Sequence, residues 1–100
     1  MPVDKLTLER YRSYKAEVVL AAVAEHAKLD LTFKPLKNSD STRWHALVSG
    51  KDFELVLTGS KFWDTRAETG GAGAVDLVMH LTGLTFRRAI KLIDKVLIES

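Results

Sequence analysis

A segment punctuated by glycine near the C-terminal end constrains the fold more than any other part of the chain. Residues 70–73 read Gly-Gly-Ala-Gly, the apolar stretch Ala74–Thr82 follows, and Gly83 separates that stretch from Thr85. Glycine after an apolar run is typical of a helix end, and threonine is a frequent N-cap. The segment therefore predicts a glycine loop, a short helix closed by a Schellman motif, and a last helix that runs to about Leu97.

Alternating apolar residues upstream predict a small antiparallel meander of three to four strands. Strands are expected around residues 29–33, 44–49, 53–58 and 62–65. Gly59 and Ser60 fit a two-residue hairpin turn, and a second turn is expected at Gly50 and Lys51. Trp44 alternates with Ala46 and Val48, which predicts that its ring lies in the core.

The N-terminal third is expected to be helical. Ser13 is a plausible N-cap for a helix to about Lys28, because Ala16, Val19, Leu20, Val23 and Ala27 form one apolar stripe. Residues 1–12 are polar enough to be a loose arm, although Leu6, Leu8 and Tyr11 offer apolar groups that could dock it. In the last helix, the expected inner face carries Phe86, Ala89, Ile90, Ile93 and Leu97. The whole layout is a single α+β domain.

Composition narrows the function classes. The 100 residues include no cysteine, which excludes disulfides and thiolate metal sites, and no apolar run is long enough to cross a bilayer. The N-terminus lacks the basic and apolar regions of a signal peptide, so we expect a soluble cytoplasmic protein. The net charge is +2, and residues 31–66 carry its excess, with six basic and four acidic side chains. That is mildly basic for a nucleic-acid-binding protein.

The second half of the chain resembles the zinc-ribbon domain found at the N-terminus of bacterial replicative primases and in their plasmid and phage relatives. Phe62-Trp63 falls where the family has Phe-Tyr or Leu-Trp, and Asp64 falls where it commonly has histidine. Residues 71–75 (Gly-Ala-Gly-Ala-Val) fall on its Gly-Gly-Asp-Ala-Ile. Residues 83–89 fall on its Leu-Ser-Phe-x-x-Ala helix start. The resemblance covers some 40 residues and implies a ribbon-like fold.

This chain departs from the family at the metal site. Thr65 and Glu68 stand where the resemblance places the Cys-x-x-Cys pair, and no Cys-Pro-x-His counterpart precedes the meander near Trp44 and His45. A structural zinc site needs soft sulfur and imidazole ligands, so we expect a cysteine-free, metal-less form without a cofactor. The clustered acidic residues of a primase catalytic domain are missing too, which indicates a non-enzymatic module.

Two groups of basic residues are candidates for nucleic-acid contact. Lys61, Trp63 and Arg66 combine an aromatic ring with cations on a predicted sheet, a pattern that can stack bases and hold phosphates. Phe62 and Trp63 must point to opposite faces, so at least one of them is expected in the core. Arg87 and Arg88 lie in a helix first turn, where acids are favoured, which suggests that they serve a partner.

The glycines and histidines carry weaker signals. Gly70, Gly71 and Gly73 precede a helix N-terminus and could bind an anion, although a tight turn in place of the zinc knuckle is the plainer interpretation. His26, His45 and His80 have no ligand spacing between them. Asp76 and His80 are one helical turn apart and could pair, and a cluster with Asp64 is conceivable.

The sequence thus leaves two functional hypotheses. The first is a module that binds single-stranded DNA, or assists a separate primase, polymerase or helicase, in replication of a plasmid, phage or other mobile element. Here the replication context is what the resemblance implies. The second is a protein-interaction module or inhibitor that keeps the fold without binding DNA, which the mild charge favours. Neither hypothesis involves a membrane.

Overall fold

An antiparallel five-stranded sheet forms the centre of the computed structural model, which describes residues 5–35 and 40–98, with side chains from Glu9 onward. The strands are β1 (His26–Leu29), β2 (Thr42–Val48), β3 (Lys51–Thr58), β4 (Lys61–Asp64) and β5 (Thr69–Ala72), and they pair in chain order. The helices are α1 (Lys5–Ser13), α2 (Ala16–Val23), α3 (Ala74–Thr82) and α4 (Phe86–Ile93), followed by a π-helical turn, Asp94–Ile98. The predicted α+β class is confirmed, with five strands rather than three or four.

The core lies between one face of the sheet and the helices. Phe53, Leu55 and Leu57 alternate along β3 and are at most 4% exposed. They pack with apolar residues of every helix, as the helix-facing row of a half-buried strand should. In the described part of the chain, no helix is long and apolar enough to cross a membrane.

The N-terminal third differs from its prediction. Ser13 is not an N-cap: it ends α1, and its Oγ donates to the Arg10 carbonyl at 2.7 Å. The second helix begins after Lys15 without a side-chain cap, because the Ala16 N–H donates to the Gly59 carbonyl of the β3–β4 turn at 2.8 Å. Helix α2 stops at Val23, because the residues that follow pair with β2 and this pairing overrides their helical propensity.

Helix α1 is docked rather than loose. The Tyr11 ring is 1% exposed, and its hydroxyl donates to Asp94 Oδ1 at 2.5 Å. Burial, together with this hydrogen bond, raises the pKa of Tyr11 to about 12. Of the three predicted docking residues, Tyr11 is confirmed, whereas the side chains of Leu6 and Leu8 lie outside those described.

Strand β5 was predicted as a loop. Gly70 and Gly71 belong to an edge strand paired with β4, and both glycines permit a close approach. A Cβ at residue 70 would lie 2.5 Å from the Phe62 carbonyl oxygen, and one at residue 71 would lie 3.0 Å from the Phe62 ring. Composition indicated a loop, but these glycines are required by contacts across strands.

The turns and helix ends are mostly as predicted. The hairpin at Gly59 and Ser60 is confirmed, while the other turn falls one residue earlier, at Ser49 and Gly50, both with positive φ. Gly83 is left-handed, with φ +73°, and its N–H donates to the Met79 carbonyl at 2.9 Å. This is the simpler αL motif rather than the Schellman motif, because the Leu84 N–H donates to Thr82 Oγ1 instead.

The last helix is confirmed at its start and corrected on its inner face. Thr85 caps α4 by accepting from the Arg88 N–H at 3.4 Å. Ala89, Ile90 and Ile93 are buried, but Phe86, the first residue of α4, is 45% exposed. The α-helix ends at Ile93, and Leu97 lies half-buried in the π-helical turn.

Candidate nucleic-acid interface

The face of the sheet opposite the helices, here called the open face, gathers most of the candidate residues. Strand alternation and cross-strand register decide which side chains it carries. Lys28 pairs with His45, and His45 with Glu54, in one row; Arg43 pairs with Val56, and Val56 with Trp63, in the next. The open face is thus defined by Lys28, Arg43, His45, Glu54, Val56, Lys61 and Trp63.

Trp63 is the aromatic platform of the open face. Trp63 is 47% exposed, whereas the neighbouring Phe62 is 6% exposed and lies in the core. The expectation that at least one of the two is buried is therefore confirmed. The Trp63 ring leans over Gly70, since a Cβ there would lie 3.0 Å from Trp63 Cε3. Trp63 consequently rests on glycine backbone and keeps exposed ring surface.

Trp44 points to the other side of the sheet. It is half-buried against the core, and its Nε1 donates to Thr42 Oγ1 at 3.0 Å. The prediction that Trp44 faces the core is confirmed, but the residue is only half-buried and lies at the edge of the core.

An ion network occupies the middle of the open face. Arg43 Nη2 and Nε lie 2.6 and 2.8 Å from Asp30 Oδ2. His45 Nε2 lies 3.4 Å from the same oxygen and 3.9 Å from Glu54 Oε1. The hydrogen bond from the Thr32 side chain, followed by the one from Arg43, lowers the pKa of Asp30 well below its usual range. Both Asp30 and Glu54 are therefore engaged by protein donors.

Glu54 is held from the opposite side by Thr65. Thr65 Oγ1 donates to Glu54 Oε2 at 2.5 Å, and this hydrogen bond is the main cause of the lowered pKa of Glu54. Lys28, Lys61 and Arg66, by contrast, have no ion pair with any described residue. The open face thus has two hydrogen-bonded carboxylates in its centre, of which Asp30 is paired with Arg43, and cations without ion pairs towards its edges.

The turn that follows β4 is organised by a buried carboxylate. Asp64 is 3% exposed; its Oδ1 accepts the Arg66 and Ala67 N–H groups at 3.0 Å each, and its Oδ2 lies 2.6 Å from His80 Nε2 of α3. Burial by itself raises the pKa of Asp64, but the hydrogen bonds from Ala67, His80 and Arg66 together lower it. Asp64 therefore joins the β4–β5 turn to α3 and fixes the backbone at Arg66.

His80 completes this connection between layers. Its ring stands 5.3 Å from the Phe62 ring centroid and 5.9 Å from that of Phe53. Of the cluster of Asp64, Asp76 and His80 considered from the sequence, the structure brings together Asp64 and His80. Asp76 instead accepts a hydrogen bond from the Ala72 N–H, at 3.4 Å from its Oδ2.

The structure divides the predicted contact residues between two surfaces. Lys61 and Trp63 lie on the open face, and Arg66 lies at its border, where Nη1 donates to the Asp52 carbonyl at 3.4 Å. Arg87 and Arg88 are exposed on α4, which packs on α3 in the helical layer, so they are on the other side of the sheet.

The three glycines of the predicted anion loop occupy different positions: Gly70 and Gly71 lie in strand β5, where Gly70 supports the Trp63 ring. Gly73 alone stands at a helix N-terminus, with φ +92°, and its N–H donates to the Ser60 carbonyl at 2.9 Å. A cavity of about 220 Å³ beside it is lined by Tyr11, Arg12, Ala72, Gly73, Val75, Asp76 and Phe86. Anion binding by Gly70, Gly71 and Gly73 stays a prediction.

Sequence reasoning missed part of the open face. Lys28 was assigned to a helix, and the pairing of Lys28 with His45 depends on β1, which pairs across a loop of more than ten residues. The alternation of His26 and Lys28 with Ala27 and Leu29 was the available signal. Because four residues are too few to distinguish a strand from a helix end, that signal was not decisive.

Comparison with known proteins gives one limited similarity. No family model matches the chain, and no solved structure matches it. A "65 kDa protein" of Zymomonas mobilis subsp. mobilis is 42% identical over 38 residues, which are 38% of this chain and 6% of that protein. The matched region therefore spans a small part of a much longer relative.

Proposed function

We propose that this chain is a non-enzymatic module that binds single-stranded DNA on the open face of its sheet. The observation that carries the proposal is Trp63, an exposed ring supported by the Gly70 backbone. Stacking on an aromatic ring holds a base of any sequence, because every base has a π-face. A ring that is already fixed in place loses little conformational freedom when a base stacks on it.

The charges around Trp63 support the same function. Lys61 and Arg66 lie within three residues of Trp63 on β4 and the following turn, and Lys28 lies on β1 across the sheet. All three are free of intramolecular ion pairs among the described residues, so phosphates would be their counterions. The ion pair with Arg43 offsets the charge of Asp30 and so lowers the repulsion between that carboxylate and a nucleic-acid strand. The net charge of +2 is consistent with weak, salt-sensitive binding.

The biological context is proposed from the primase-like residues. The resemblance of residues 62–89 favours a role in replication of a plasmid, phage or other mobile element, in the cytoplasm, beside a separate primase, polymerase or helicase. The short match to a 65 kDa protein is compatible with a module that also occurs as a segment of larger proteins.

Anisotropy of labelled oligonucleotides tests the proposal. We expect the single strand to bind more tightly than a duplex of equal length, with affinity falling steeply from low to physiological salt. Trp63→Ala should cost about 1–3 kcal/mol of binding if a base stacks on the ring. Phe86→Ala is the matched control, because Phe86 is 45% exposed against 47% for Trp63 but lies in the helical layer.

Two results would contradict the proposal. One is an equal loss of affinity in Trp63→Ala and Phe86→Ala. The other is the absence of binding to either oligonucleotide at high micromolar protein and low salt, which would favour a protein-interaction module that uses the same exposed tryptophan.

A further inference from the structure

A groove lies on the sheet beside the Thr65–Glu68 turn, at the end of the open face away from Lys61. Its volume is about 180 Å³, and its side-chain lining comes from β1, β2, β3 and the turn. We call it the basic groove and define it by His26, Lys28, His45, Leu47, Asp52 and Arg66.

The groove contains more basic groups than acidic ones. Lys28 and Arg66 are exposed cations without ion pairs among the described residues, while Asp52 is the carboxylate of the lining. Arg66 already leans inward, with Nη1 3.4 Å from the Asp52 carbonyl oxygen. Its remaining N–H donors and the Lys28 ammonium can meet at one anion between them.

The carboxylates that border the groove are engaged by the protein. Asp30 is bound by Arg43 and Thr32, and Glu54 is bound by Thr65. Asp30 and Glu54 therefore have partners within the protein, and Lys28 and Arg66 remain the cations of the groove that have no ion pair with a described residue.

We propose that the basic groove binds a phosphate group of the nucleic-acid strand whose base stacks on Trp63. The inference rests on the proposed function and deepens it. Arg66 follows Trp63 by three residues, and Asp64 fixes the Arg66 backbone, so platform and groove are held in one arrangement. The phosphate can be an internal phosphodiester or a terminal phosphomonoester, and the latter carries more negative charge.

Charge-neutral variants of the full chain test the groove. Lys28→Gln and Arg66→Gln should each weaken oligonucleotide binding about fivefold at low salt and reduce the salt slope by about one. Lys91→Gln on α4 is the matched control, because it removes the same charge from an exposed site in the helical layer.

Oligonucleotides with and without a 5′-phosphate separate the two phosphate sources. A gain from the terminal phosphate that disappears in Lys28→Gln supports end recognition, and equal binding of both supports an internal phosphodiester. Equal affinities of Lys28→Gln, Arg66→Gln and Lys91→Gln would overturn the inference, while a Trp63→Ala defect would still uphold the proposed function.

A second probe keeps the inference testable if no oligonucleotide binds. Inorganic pyrophosphate, titrated at pH 6 and followed by NMR, should shift the resonances of His26, Lys28 and Arg66 more than those of Arg87 and Arg88. Shifts that are absent or uniform over both surfaces would overturn the phosphate site independently of the proposed function.

Discussion

At the residue scale, Asp64 shows how the chain fixes its β4–β5 turn. Its two oxygens are engaged by two backbone N–H groups and by His80, so one buried carboxylate joins the turn to α3. Hydrogen bonds to a buried carboxylate stabilise a fold when every donor is satisfied, and removal of the acceptor leaves those donors unpaired.

Replacement of Asp64 should destabilise the domain. We expect Asp64→Ala to lower the free energy of unfolding by about 1–3 kcal/mol, because two N–H groups and His80 lose their acceptor. Asp64→Asn should cost less, since its amide oxygen can still accept from the turn. Urea unfolding measures both changes, with Asp52→Asn as an exposed control. Wild-type stability in Asp64→Ala would contradict the role given to this carboxylate.

The stability contribution of Asp64 should also depend on pH. Because the pKa of Asp64 is lowered in the folded state, its contribution is fully present above the unfolded-state pKa of about 3.9 and is lost as pH falls through the folded value. The difference between wild type and Asp64→Asn should therefore shrink on acidification below about pH 4.

At the element scale, Gly83 ends α3 in the left-handed conformation and begins the short connection to α4. A Cβ at residue 83 would meet no atom within 4 Å, so the cost of a side chain there is conformational rather than steric. The left-handed φ of +73° is the feature that favours glycine.

Substitutions at Gly83 should follow the backbone preference. Gly83→Ala and Gly83→Val should destabilise the domain by about 1 kcal/mol or more, whereas Gly83→Asn should cost less, because asparagine tolerates the left-handed region. Thermal unfolding distinguishes them. If valine is as stable as glycine, the helix boundary at this residue is misassigned.

Elements with strong local signals were predictable, and those set by long-range pairing were not. Helix α3 and the start of α4 follow from Gly83 and Thr85, and the β3–β4 hairpin follows from its glycine turn. Strand β1 depends on pairing across a long connection, and the glycines of β5 depend on the Phe62 backbone and ring.

The same distinction applies to the site. The alternation of side chains along a strand predicts that Phe62 and Trp63 point to opposite faces of the sheet. The position of the helices, which cover the Phe62 face, decides that Trp63 is the exposed residue. The Asp64–His80 pair spans two layers, whereas local spacing offered Asp76, one helical turn away, as the partner for His80.

At the scale of the whole molecule, side-chain packing and hydrogen bonds connect the sheet to the helices in the described part of the chain. We predict that dialysis against a strong chelator leaves the melting temperature unchanged, because metal-dependent folds unfold on chelation and this chain has no cysteine. A lower melting temperature after chelation, restored by added zinc, would show that the fold depends on metal.

The central claim is that the open face, rather than the helical layer, contacts the single strand. Titration of ¹⁵N-labelled protein with an unlabelled single-stranded oligonucleotide at low salt tests it most directly. The account predicts shifts concentrated at Lys28, Val56 and the Trp63 indole N–H, with little change at Phe86 and Arg87. Shifts concentrated at Phe86 and Arg87, with an unaffected Trp63 indole, would contradict it.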